Sequence, residues 1–339
     1  MPTDHRTAVA HPNIALIKYW GKRDERLAVP YVDSLSMTLD VFPTTTTVRL
    51  DPAAGMDGVT LDGMPVGGEP RRRVIAFLDL LRELSGRAEP AVVDTRNTVP
   101  TGAGLASSAS GFAALAVAGA AAYGLDLDPT ALSRLARRGS VSAARSIFAG
   151  FAVCHAGRGS GPAADLGSYA EPLDVQEFDP ALVIALVDTG PKAVSSRAAM
   201  RRTVATSPLY RAWAASAGAD LTGMRTALRR GDLAAVGEIA ERNALGMHAT
   251  MLAARPAVRY LSPATLAVLD GVLRLREDGV PAYATMDAGP NVKVLCHPRD
   301  AARVGAAVRE AAPGCATVTA RRGPGARLTT GAVAVRADP

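Results

Sequence analysis

Two lobes of α+β structure sharing a core are what this 339-residue sequence predicts. Three observations carry that reading. The first half alternates strand-like and helical segments, whereas the second half is dominated by helical periodicity and returns to strands near its end. No repeat of 20–50 residues marks a solenoid, and no long linker separates the halves. The length itself is long for one domain and natural for two lobes.

In chain order, the first predicted strands are 8–20 and 44–50, the second rich in β-branched Thr and Val. Residues 72–84 place apolar side chains at 74, 75, 77, 78, 81 and 84, one face of a helix. A short strand at 90–95 leads into a loop at 97–108, followed by an alanine-rich helix to about Tyr123. Pro129 opens another helix, where its missing N–H has no intrahelical partner to lose. The stretch 157–167 is rich in Gly, Ser and Pro and reads as a mobile loop. The apolar run ALVIALVD at 181–188 is the pattern of a strand covered on both faces. Helices are predicted at 196–205, 208–229, 232–252 and 262–278, and strands at 281–287 and 292–296. A helix at 299–311 and a closing strand near 328–335 complete the chain.

Apolar residues make up 48% and charged residues 21%, an ordinary globular balance. The net charge of +6 conceals a skew: only Lys18, Lys22, Lys192 and Lys293 are lysine, and the other 34 basic residues are arginine. The most apolar run, 111–123, is 13 residues long and too short to span a bilayer, so no membrane partner is expected. Residues 1–13 have no apolar core of a signal peptide. Cys154, Cys296 and Cys315 are odd in number and lack CxxC spacing, which argues against disulfides or structural zinc and fits a reducing cytoplasm. The five histidines show no metal spacing. Basic runs such as 71–73 and 321–322 are brief and aromatics are only 4%, so nucleic acid is not expected; small anions suit the charge better.

Four segments carry chemistry. In PTGAGLASSASG (100–111), glycines free backbone N–H groups just before a helix, an anion site by dipole and geometry, with Ser107 and Ser108 hydroxyls available to phosphate or Mg2+. It is not a Walker A loop, and a turn that merely caps a buried helix fits equally well. In PNIALIKYWGK (12–22), strand alternation puts Lys18 on the largely apolar side with Ile14 and Leu16. There an ammonium either finds an anionic partner or snorkels to solvent. In RGSVSAARS (138–146), Ser140, Ser142 and Arg145 lie within two turns and converge on one carboxylate or phosphate, unless the arginines only face solvent. In TMDAGPN (285–291), Asp287 ends an apolar strand before a Gly-Pro turn, a place for either a functional group or an Asx-turn. His248 is either a hydrogen-bonded core residue or part of a site wall.

Taken together, PNIALIKYWGK (12–22), PTGAGLASSASG (100–111), GSVSAARS (139–146), VSSR (194–197), TVATSPLY (203–210), NALGMHATM (243–251) and MDAGPNVKVL (286–295) strongly resemble the diphosphomevalonate decarboxylases of the GHMP kinase superfamily. The resemblance runs in order from about residue 8 to 296. It implies a GHMP kinase-like two-lobed fold. A left-handed βαβ unit (ribosomal protein S5 domain 2-like) is expected in an N-terminal lobe at 1–187, and a C-terminal α+β lobe at 188–339. It also implies ATP-dependent conversion of mevalonate 5-diphosphate to isopentenyl diphosphate, CO2, ADP and phosphate, with Mg2+, by a cytoplasmic homodimer.

Position by position, Asp287 matches the catalytic aspartate, Lys18 the lysine beside it, and Arg145 the arginine that holds the substrate carboxylate. Asn13, Tyr19, Lys22, Ser140, Ser142, Ser196 and Arg197 match the substrate pocket. Asn97 and Gly102, Ala103, Gly104, Leu105, Ala106, Ser107 and Ser108 match the ATP side, with Ser107 and Ser108 toward Mg2+. Lys192 and Lys293 match no role; Lys293 is expected to face solvent on its strand and Lys192 to flank a loop. The alternatives are a mevalonate 3-kinase-like enzyme and a decarboxylase acting on the monophosphate.

Overall fold

The computed structural model describes residues 5–98, 107–175, 177–188, 190 and 193–329. His11 and Pro12 break the first predicted strand in two, and the pieces join different sheets: Pro12 has no N–H to donate to a ladder. His5–Ala10 enters a six-stranded sheet in the order Arg327–Leu328, His5–Ala10, Thr44–Leu50, Ala91–Asn97, Gly58–Leu61, Met64–Pro65. Its parallel pair, Gly58–Leu61 beside Ala91–Asn97, is connected through helix Gly68–Ser85, a βαβ crossover. Helix Ser107–Ala122 lies across this sheet with Ala113, Ala114, Ala116 and Ala118 fully buried. A helix with little apolar asymmetry is one covered on all sides.

Asn13–Ile17 instead edges a four-stranded antiparallel sheet with Ser34–Thr38, Phe151–Cys154 and Ala170–Leu173. These three partners are short and largely buried: Ser34–Thr38 alternates polar and apolar side chains over only five residues, and the other two show no such alternation. A third antiparallel sheet orders Ala282–Met286, Val292–Cys296, Ala181–Leu186 and Ala316–Ala320. Helices Pro263–Glu277 and Ala301–Ala311 cover one face, and Tyr210–Arg229 with Leu233–Leu252 the other. Caps fix these helices: Asp232 accepts from the Ala235 N–H, and Ser262 with Thr265 forms a capping box before Pro263.

The two lobes are not strung one after the other. Ala181–Leu186 pairs on both sides with C-terminal strands, so the second lobe's sheet begins before residue 187. In turn, Arg327–Leu328 crosses back to pair with His5–Ala10. One core cluster contains Ile14, Ile17 and Leu35 from the first lobe with Ile184, Leu295, Leu221 and Val236 from the second. The predicted loop at 157–167 contains a short helix, Gly161–Leu166, held by the buried Arg137, which bonds the carbonyls of Ser168 and Leu27 and the carboxylate of Asp165.

Gly237 decides how closely helix Leu233–Leu252 approaches strand Ala282–Met286, because a Cβ there would overlap the Tyr283 ring. Gly237→Ala is therefore expected to destabilise the fold by about 1–3 kcal/mol through overpacking. This is despite alanine's helix propensity, worth up to about 1 kcal/mol in the other direction. Urea unfolding measures it, and an unchanged or raised midpoint would contradict the close approach.

Candidate active site

A cavity of about 690 Å³ opens between the lobes. Asn13, Lys18, Tyr19, Lys22, Ser108, Ser140, Ser142, Arg145, Ser196, Arg197 and Asp287 all line it, so residues far apart in the sequence meet in one cavity. Its lining holds eight cationic side chains, Lys18, Lys22, Arg26, Arg73, Arg137, Arg138, Arg145 and Arg197, against Glu25, Glu69 and Asp287. That excess suits a multiply charged anion.

At one end, Lys18 follows directly on strand Asn13–Ile17 and Asp287 directly on strand Ala282–Met286. The Lys18 ammonium is 1% exposed and donates to Asp287 Oδ1 at 2.9 Å and to the Ala15 carbonyl at 2.7 Å. Burial lowers its pKa, and the Asp287 charge opposes that shift. Both backbones are pinned from helix Leu233–Leu252. Asn243 Oδ1 accepts the Lys18 N–H at 2.8 Å, while Asn243 Nδ2 donates to Asp220 at 2.9 Å. His248 Nε2 lies 3.1 Å from the Asp287 carbonyl. A carbonyl only accepts, so Nε2 carries the proton. Burial, then the Lys18 charge, pushes the His248 pKa down to about 4, which keeps the ring neutral.

Arg145, on the short helix Ala143–Ser146, is equally buried. Its Nε donates to Ser36 Oγ at 2.9 Å, Nη1 to Ser34 Oγ at 2.5 Å, and Nη2 to Asn13 Oδ1 at 3.4 Å. Asn13 is fixed in turn by donating to the Ser142 carbonyl and Ser146 Oγ. Among the described residues no carboxylate lies within ion-pair distance of Arg145. A desolvated guanidinium held only by neutral groups is poised for an incoming carboxylate.

At the other end, Lys22 reaches in beyond Gly21, where φ is +97° and a Cβ would overlap the Tyr210 hydroxyl. Lys22 pairs with half-exposed Glu25 at 2.9 Å, and Arg197 lies 3.6 Å from exposed Glu69. Arg73 stacks over Phe112 at 4.7 Å and donates to the Gly139 carbonyl at 3.0 Å, but its Nε has no partner among the described residues. Burial, then the Arg197 charge, lowers its pKa to about 10. The buried Tyr19 hydroxyl is likewise unpartnered among the described residues. Unsatisfied donors converging on a basic pocket are groups a ligand satisfies. A line of hydroxyls, Ser142 to Ser140 at 3.1 Å and Ser140 to Ser108 at 3.4 Å, leads to the start of helix Ser107–Ala122.

Two family models match this chain. The diphosphomevalonate decarboxylase-like N-terminal domain covers residues 10–168, and the mevalonate 5-diphosphate decarboxylase C-terminal domain covers residues 182–327. The chain belongs to the diphosphomevalonate decarboxylase family. Among solved members, the complex of MDDEF with MVAPP, AMPPCP and magnesium is 44% identical, with a TM-score of 0.90 over 96% of this chain and 98% of that one. The mevalonate diphosphate decarboxylase of Staphylococcus aureus is 38% identical, with a TM-score of 0.91 over 96% of this chain and 98% of that one. A phosphomevalonate decarboxylase of Haloferax volcanii is 36% identical over 85% of this chain and 87% of its own length.

Within this decarboxylase fold, some sequence expectations change. Asn97 accepts from Thr44 Oγ1 at 2.7 Å at the end of its strand and does not line the cavity formed by the described residues. Gly102 to Ala106 and Lys192 lie outside the described residues, as does the Ser107 side chain. Lys293 does not face solvent; it is about 1% exposed and points at Asp287, because its strand is interior to the sheet and covered on both faces. His248 is both a hydrogen-bonded core residue and a support of the site. Sequence reading missed Arg73, one arginine of three in a row, and Ser34 and Ser36, whose alternation along a short strand was the available signal.

His248 also gives the fold a pH dependence. Its folded pKa, about 4, lies below the ordinary histidine value of 6.5, so at acid pH the unfolded chain binds a proton the folded chain refuses. Stability is full above the unfolded pKa and falls as pH drops toward 4. His248→Gln is expected to remove about 2 kcal/mol of the stability loss between pH 7 and pH 5. Urea unfolding at the two pH values checks this, and equal losses in both proteins would contradict it.

Proposed function

We propose that this chain decarboxylates mevalonate 5-diphosphate to isopentenyl diphosphate with ATP and Mg2+, releasing CO2, ADP and phosphate. The observation that carries this reading is the pairing of two unlike groups in one cavity: a lysine-bound carboxylate, Asp287, and a guanidinium, Arg145, with no carboxylate in ion-pair distance among the described residues. A kinase needs only the first of these. Removal of a carboxylate as CO2 needs a group that holds it in line as well. The similarity to a complex holding MVAPP, AMPPCP and magnesium supports the same substrate classes here.

In this reading Asp287 orients the tertiary 3-hydroxyl and takes its proton as the oxygen attacks the γ-phosphate. Lys18 keeps the carboxylate charged. Phosphorylation turns the hydroxyl into a leaving group, positive charge develops at C3, and loss of CO2 quenches it. Once Asp287 has released that proton to the departing phosphate it is again a carboxylate and opposes the developing charge, while Arg145 keeps the departing carboxylate aligned. Lys22, Arg73, Arg197, Tyr19, Ser140, Ser142 and Ser196 hold the remote diphosphate, while Asn13 sets Arg145; their binding energy positions the reacting end.

Residues 102–106 and the N-terminus of helix Ser107–Ala122 form the proposed nucleotide-phosphate loop. Mg2+ bound with ATP neutralises charge on the β- and γ-phosphates. The Ser108 hydroxyl, with Ser107, would hold it. One or two protein oxygens suffice for Mg2+ beside phosphates, and among the described residues no cluster of three His, Cys, Asp or Glu competes for it. The chain is further read as a cytoplasmic homodimer. Its three cysteines are buried and unpaired, as a reducing compartment leaves them, and no described helix is long and apolar enough to cross a membrane.

Incubation with Mg-ATP and either mevalonate 5-diphosphate or 5-phosphate tests the proposal, with ADP, phosphate and CO2 measured together. Equimolar ADP, phosphate and CO2 from the diphosphate are expected. ADP without CO2 would make the protein a kinase, and CO2 from the monophosphate alone would place it with the Haloferax relative instead.

A further inference from the structure

The cavity accounts for Lys18 and Lys22 but leaves a third lysine unexplained. Lys293 sits in the middle of Val292–Cys296, an interior strand paired on both sides. Val292, Val294 and Cys296 pack toward helices Pro263–Glu277 and Ala301–Ala311. Lys293 takes the opposite face, with Leu295, on the side of Lys18 and Asp287. Its Nζ lies 3.7 Å from Asp287 Oδ2 and 3.3 Å from the Asn291 carbonyl. Lys18 occupies the other carboxylate oxygen, Oδ1. Unlike Lys18, Lys293 does not line the cavity. A charged side chain in a strand centre carries a desolvation penalty that an apolar residue would avoid, and the one anion it meets among the described residues is Asp287.

We propose that Lys293 is a positioning residue for Asp287: an ammonium behind the carboxylate, out of reach of substrate, that fixes Oδ2 and keeps Asp287 ionised when the cavity fills with anions. The inference rests on the role given to Asp287 above. A single lysine would leave the pair neutral. The substrate brings a carboxylate and phosphates, and the nucleotide brings more, and each raises the affinity of Asp287 for a proton. Lys18 and Arg145 face the cavity and interact with those incoming charges directly. His248, a further titratable group against Asp287 among the described residues, is neutral and holds its backbone. Among the described residues, Lys293 alone applies its charge from a side away from the cavity. It also prevents the carboxylate from turning about its Cβ–Cγ bond, so that the geometry set by Lys18 persists through the phosphoryl transfer.

Lys293→Met keeps the length of the stem and removes the charge. With mevalonate 5-diphosphate and Mg-ATP, kcat is expected to fall about tenfold or more while the KM for mevalonate diphosphate changes less than about threefold. The acid limb of the kcat–pH profile is expected to move up by about one pH unit. A folded variant with unchanged kcat, or one whose kcat falls with the acid limb in place, would overturn the inference. Asp287→Asn, assayed alongside, separates the two readings: its inactivity with a normal Lys293→Met enzyme refutes only the role of Lys293. Should Lys293→Met not fold, 15Nζ-lysine NMR of the wild-type enzyme decides. Four lysines give four signals, and Lys22→Gln, Lys192→Gln and Lys18→Met assign them. The Lys293 signal is expected at an ammonium position across the active pH range, and an amine position at neutral pH would overturn the proposal.

Discussion

The buried contact between the Lys18 ammonium and the Asp287 carboxylate joins residues 269 apart in sequence and fastens the first lobe to the second at the point where chemistry is proposed. Much of the surrounding architecture serves to hold it. Pro12 ends one strand so that the next enters a different sheet and delivers Lys18 between the lobes. Helix Leu233–Leu252 grips the backbone on both sides of the pair, through Asn243 on Lys18 and His248 on Asp287. The helix comes close enough to do so because residue 237 has no side chain. An ion pair this deep gains little net stability, since desolvation offsets most of the Coulomb attraction. Its value is a fixed carboxylate in a defined charge state.

Charge in the rest of the cavity is arranged on the same logic of unfinished pairing. Arg145 is locked by hydroxyls and an amide rather than by a carboxylate, so its positive charge stays available. Arg73 is stacked and partly bonded, with one N–H unsatisfied and Arg197 repelling it. Acidic partners in this region, Glu25 and Glu69, lie at the rim, half-exposed or exposed, where solvent screens them. An anion entering the cavity therefore meets preorganised cations at both ends, one set for a carboxylate and one for phosphates.

Much of this was legible in the sequence because the site is built from contiguous motifs at element ends. Lys18 beside apolar residues pointed either to an internal anionic partner or to a route to solvent, and Asp287 at a strand end before Gly-Pro either to a functional group or to an Asx-turn; the family motifs decided between them. What remained hidden was tertiary. Arg73 is one arginine among 34, and nothing local distinguishes it. Phe151–Cys154 and Ala170–Leu173 are four residues each without period-2 patterning, and the alternation of Ser34–Thr38 runs over only five residues. Lys293 read as an exposed strand residue because charge implies solvent unless an anion waits inside, and that anion is supplied by the same hairpin. The lysine skew proves informative after all: three of the four lysines meet carboxylates at the site, where a compact ammonium serves better than a guanidinium.

The central claim, that an ionised Asp287 drives phosphorylation of the tertiary hydroxyl while other groups bind the substrate, is tested most directly by Asp287→Asn. The measurement is a single-turnover assay of CO2 release, paired with calorimetric binding of mevalonate 5-diphosphate. The account predicts a rate lower by at least about 10³-fold, with the dissociation constant within about tenfold of wild type. A near-normal rate, or a loss explained wholly by weaker binding, would contradict it.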